Sequence, residues 1–64
     1  MPNAYIDGPK IESVEAKRAL VKGVTDAIEK AYKLPQQAYV VTITENPPEN
    51  VGVGGVLIVD RPNK

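Results

Sequence analysis

The chain opens on alternation. In Asn3-Ala4-Tyr5-Ile6-Asp7, Ala4 and Ile6 fall on one side, and Asn3, Tyr5 and Asp7 on the other. That pattern predicts a short strand with one covered face. Gly8-Pro9 ends it. From Ser13 the period changes. Ala16, Leu20, Val24, Ala27, Ile28 and Ala31 recur at helical spacing, while Lys17, Arg18, Lys22, Asp26, Glu29, Lys30 and Lys33 occupy the opposite face. Ser13 reads as the N-cap and Glu15 puts negative charge in the first turn. Asp26–Lys30 and Glu29–Lys33 have the favourable i,i+4 order. The helix is predicted from about Val14 to Lys33, before Pro35. Gly23 costs such a helix about 1 kcal/mol against Ala, which predicts a packing reason such as close approach to a sheet.

A second strand is predicted over Tyr39-Val40-Val41-Thr42-Ile43-Thr44, which is rich in β-branched residues. Glu45 to Asn50 is a polar loop stiffened by Pro47 and Pro48. Val51-Gly52-Val53-Gly54-Gly55-Val56 predicts a small hairpin around a double-glycine turn. Val56 to Val59 is a short apolar run, and Asp60 to Lys64 a polar end. The fold class is therefore α/β: one β-α-β domain over residues 1–64 with a C-terminal β-hairpin. Its two main strands run parallel, joined by a crossover helix. One helix covers only one face of such a sheet, whereas parallel sheets are covered on both. The bare face and the run at Val56–Val59 together predict self-association, with that run as an inter-subunit strand.

Composition sharpens this. A chain of 64 residues is marginal as a monomer and needs a disulfide, a metal or a partner copy. There is no Cys and no His, which removes disulfides, thiolate chemistry, imidazole acid–base chemistry and the usual zinc sites. Oligomerisation remains. Eight basic and eight acidic residues balance, so no nucleic-acid partner is expected. No membrane span or signal peptide is apparent, and a cytoplasmic setting is expected.

Candidate chemistry is sparse. Gly52, Gly54 and Gly55 lack the following helix and Lys-Ser/Thr pair of a phosphate cradle, so they read as turn geometry. Glu45 and Glu49 flank two prolines and read as solvated. Lys10 is a candidate anion ligand or a surface cation. Tyr39 is a candidate hydrogen-bond donor or a packing aromatic. Pro2 stands apart. Removal of Met1 would leave a secondary amine at the N-terminus, held on the first strand. A free α-amine has a reference pKa of about 7.7–8.0, and apolar surroundings lower it toward a neutral base. With no imidazole or thiol to compete, that nitrogen is the best-placed base.

The ordered features are a Met-Pro start, a short strand, a Ser-capped helix, Pro35, a strand ending in Ile43-Thr44-Glu45, and Val51-Gly52-Val53-Gly54-Gly55. This order, over essentially the whole chain, resembles the 4-oxalocrotonate tautomerase family. The stretch from Glu45 to Gly55 resembles its small archaeal and anaerobe-type branch. The resemblance implies a β-α-β protomer, dimers with a four-stranded sheet, and a hexamer built as a trimer of dimers. It implies a cofactor-independent isomerase with Pro2 as catalytic base and acid. The expected substrate is a small unsaturated 2-hydroxy or 2-oxo acid. Lys10, Tyr39, Asn50 and Val51 are the candidate substrate-binding residues; no cofactor or metal is expected. Glu12 and Val40 stand where the best-known members carry two substrate-binding arginines, and Val51 where they carry an aromatic. These departures argue against a dicarboxylate substrate. They keep two alternatives open: a dehalogenase or hydratase of a small unsaturated acid, and a non-catalytic oligomeric binding protein.

Overall fold

The computed structural model describes residues 1–62. Strand β1 (Asn3–Gly8) leads into helix α1 (Val14–Tyr32), a 3-10 turn (Gln36–Ala38) and strand β2 (Val40–Glu45). A second 3-10 turn (Pro48–Asn50), the short strands β3 (Gly52–Val53) and β4 (Val56–Leu57), and a third 3-10 turn (Ile58–Asp60) follow. β1 and β2 are parallel, in register from Asn3 opposite Val40 to Gly8 opposite Glu45. β3 and β4 form an antiparallel hairpin. Gly54 and Gly55 sit at φ 61° and 85°, the left-handed region that an abrupt two-residue turn requires. The β-α-β unit and the C-terminal hairpin thus match the pattern of the sequence.

The alternation of β1 and β2 becomes two faces. Ala4, Ile6, Val41, Ile43 and Glu45 are half-buried; Asn3, Tyr5, Asp7, Val40, Thr42 and Thr44 are exposed. Helix α1 covers the first face. Lys17 on the helix reaches Glu45 at 3.1 Å, and Leu20, Val21, Val24 and Ile28 are its half-buried apolar residues. Ser13 caps the helix, its Oγ accepting from the Ala16 N–H at 3.1 Å. At the other end Lys33 adopts φ 59° and donates its N–H to the Glu29 carbonyl at 2.8 Å.

Several expectations are corrected. The helix lies on Leu20, Val21, Val24 and Ile28; Ala16, Ala27 and Ala31 are exposed. A Cβ on Gly23 would meet nothing within 4 Å, so no sheet approaches it in the protomer. Lys22, not Lys30, reaches the Asp26 carboxylate, at 2.7 Å. The Glu29 side chain takes Gln36 Nε2 at 2.5 Å, and the described ion pairs do not include Glu29 with Lys33. Tyr39 precedes β2 instead of opening it. The apolar run divides: Val56 and Leu57 complete the hairpin, while Ile58 and Val59 turn.

Candidate active site

Pro2 is half-buried at the entrance of β1. Its carbonyl accepts the Val40 N–H at 3.1 Å, so the parallel ladder begins at Pro2 itself. Met1 is 82% exposed, and its carbonyl accepts from Asn3 Nδ2 at 3.2 Å. Beside Pro2 in the ladder lies Val40, 39% exposed on the uncovered face. Tyr39, the residue before β2, is buried to 9% exposure. Its hydroxyl accepts the Leu34 N–H at 2.8 Å and donates to the Leu34 carbonyl at 3.0 Å. That oxygen anchors the turn after the helix, so Tyr39 seats the start of β2 through its own backbone.

The other candidates gather at the opposite end of the sheet. Parallel strands of six residues separate the two ends by about 20 Å at roughly 3.3 Å per residue. Beyond the C-terminal ends of both strands lies a groove of about 340 Å³ lined by Asp7, Gly8, Pro9, Asn46, Pro48, Val51 and Ile58. This is where open parallel sheets usually take ligands. The Asn46 N–H extends the ladder to the Gly8 carbonyl at 2.8 Å, and its side-chain amide donates to Asp7 Oδ1. The Ile58 N–H donates to the Val51 carbonyl at 2.8 Å, closing the wall opposite. Val51 is thus in the groove. Exposed Asn50 precedes it, its N–H held by the Pro47 carbonyl at 2.9 Å. Exposed Lys10 and Glu12 lie on the segment joining β1 to α1.

That segment is pinned by a residue read as solvated. Glu45 Oε2 accepts the Ile11 N–H at 2.8 Å and takes Lys17 Nζ at 3.1 Å. The Ile11 N–H first, then Lys17, hold the Glu45 carboxyl below its ordinary value against partial desolvation. Asp7, Pro9, Asn46 and Ile58 were not singled out by sequence. For Asp7, Pro9 and Asn46 the available signal was position: each ends or follows a predicted strand of the parallel sheet, where its crevice opens, whereas Ile58 lay inside the apolar run and carried none. A wider groove of about 490 Å³ runs along α1 past Lys17, Arg18 and Lys22. All three cations there are engaged, by Glu45, Glu15 and Asp26, which leaves that surface without a free charge for a ligand.

The family profile described as "Tautomerase enzyme" matches residues 2–61. The chain belongs to the tautomerase family. Among solved structures, the chain is similar to DmpI from Archaeoglobus fulgidus. The identity is 41%, over 92% of this chain and 100% of that one, with a TM-score of 0.82. It is also similar to YwhB, described as a homologue of 4-oxalocrotonate tautomerase. There the identity is 26%, over 95% and 100% of the two chains, with a TM-score of 0.87. A third is a heterohexamer 4-oxalocrotonate tautomerase from Chloroflexus aurantiacus J-10-fl. It gives 27% identity over 94% and 97%, with a TM-score of 0.82. No curated protein matches the chain. None of the described helices is long and apolar enough to cross a membrane.

Proposed function

We propose that the protein is a cofactor-independent isomerase. It interconverts the keto and enol forms, 1,3- or 1,5-related, of a small unsaturated 2-hydroxy or 2-oxo acid. The amine of Pro2, free once Met1 is removed, takes a proton from the 2-hydroxyl or from carbon beside the carbonyl. The resulting ammonium returns a proton at a conjugated carbon, so one nitrogen serves as base and acid. The observation that carries this reading is the placement of Pro2. Its carbonyl is locked to Val40 at 3.1 Å, which fixes the neighbouring nitrogen on a rigid element, as a catalytic base requires.

The protomer holds Pro2 and the groove at opposite ends, so the site closes between copies. If two sheets join antiparallel about a two-fold axis, the start of one strand pair lies beside the end of the other. Each Pro2 then meets the partner's groove. Val51 and Ile58 supply apolar walls that keep the amine dry, and Lys10 at the rim supplies positive charge for the substrate carboxylate and the developing enolate. The Chloroflexus aurantiacus relative is a heterohexamer, which supports assembly of this kind; here a homo-oligomer, a trimer of such dimers, is proposed.

Intact mass and a substitution test the mechanism together. The purified protein should lack Met1, and Pro2→Ala should lower turnover of phenylenolpyruvate by about a hundredfold or more. A retained Met1 in an active protein, or a Pro2→Ala variant as fast as the parent, would remove Pro2 from the chemistry.

A further inference from the structure

The groove beyond the strand ends has a charge that bears on what enters it. Its lining contains one ionisable side chain, Asp7, and no cation. The other walls are Gly8, Pro9, Pro48, Val51 and Ile58, with the amide of Asn46 already donating to Asp7 Oδ1. Of the nearby cations, Lys17 binds Glu45 at 3.1 Å, and Lys10, which follows Pro9, is not part of the lining. A second carboxylate lying in the groove would meet the Asp7 carboxylate at short range, with no cation in the lining to neutralise it. An uncharged hydrocarbon tail would meet the apolar walls. We propose that the groove takes the uncharged, apolar tail of a 2-oxo monoacid and that Asp7 excludes a second carboxylate. This rests on the isomerase reading for the reacting head, and it assigns Asp7 as the specificity-determining residue.

A matched pair of substrates reads the preference: 2-hydroxyhexa-2,4-dienoate, ending in a methyl group, and 2-hydroxyhexa-2,4-dienedioate, ending in a carboxylate. The parent should favour the methyl-terminated acid in kcat/KM by at least about tenfold, the scale of one close, partly screened charge repulsion. Asp7→Asn keeps the shape and an acceptor for Asn46. It should shrink the ratio several-fold by lowering KM for the dienedioate, whereas Asp7→Glu should retain the preference. Equal rates on the two acids in the parent, or an unchanged ratio in Asp7→Asn, overturns the proposal. Binding of hexanoate and hexanedioate, followed at the Asn46 and Val51 amide signals, separates this idea from the catalytic one. Shifts with hexanoate alone in a protein that turns over neither dienol would sustain the groove assignment and sink the isomerase reading. Equal shifts with both acids would overturn the groove assignment.

Discussion

A single carboxylate, Glu45, ties together the end of β2, the segment before α1 and the helix itself. It accepts from the Ile11 N–H at 2.8 Å and pairs with Lys17 at 3.1 Å. Because both partners favour the ionised form, its pKa falls below the ordinary 4.5. A group with a lowered folded pKa stabilises the fold above its unfolded value, and that contribution disappears as pH falls through the folded value. Glu45→Gln should therefore lower the urea midpoint at pH 7, with the gap to the parent closing as pH drops below 4.5. A gap that does not change with pH would mean that the charge of Glu45 contributes nothing. This role was hidden in the sequence. Glu45 and Glu49 look alike beside two prolines, and only the parallel register puts Glu45 on the helix-covered face. Pro2 stood out as a candidate for the opposite reason: a chain without His or Cys leaves few nitrogen or sulfur bases to consider.

At the scale of elements, the strands and the helix limits were readable because their signals are local. Alternation marks the covered face of β1 and β2, Ser13 starts the helix, and Gly54-Gly55 marks the hairpin turn. The buried face of α1 was harder to read. Small residues at 16, 19, 23, 27 and 31 add a second weakly apolar stripe, and periodicity cannot tell it from the stripe of Leu20, Val24 and Ile28. The end of the helix offers a direct test. Lys33 holds φ 59°, which costs a residue with a Cβ about 1–2 kcal/mol. A glycine avoids that strain but gives up about 0.5–1 kcal/mol of chain entropy. Lys33→Gly should therefore stabilise the protein by about 0.5–1 kcal/mol in denaturant unfolding. No gain would show that Lys33 offsets its backbone strain through interactions of its side chain.

The whole molecule is too open for its length. Its radius of gyration is 15.3 Å, against about 11 Å for a compact chain of this size. Its accessible surface is 5044 Å², against about 4,000 Å² for a compact monomer of this mass. The surplus of about 1,000 Å² is comparable to one partner's share of a standard protein interface, about 800 Å². Tyr5 at 76% and Val40 at 39% exposure lie on the uncovered face of the sheet. Sizing at low micromolar concentration should show an oligomer, and dilution should lower the unfolding temperature along with the assembled fraction. A folded monomer whose stability ignores concentration would contradict this. Composition and the bare sheet face made this openness legible, but no local pattern shows that Pro2 and the groove lie at opposite ends of the sheet.

No described side chain in the protomer is wholly enclosed. In a symmetric assembly each substitution is copied into every equivalent contact. In the proposed homo-oligomer, selection on this chain acts through multiplication: a small gain or loss at one position recurs with each subunit. Two diverging copies of such a sequence would each form part of the other's interior. They would have to change in step or stop assembling together.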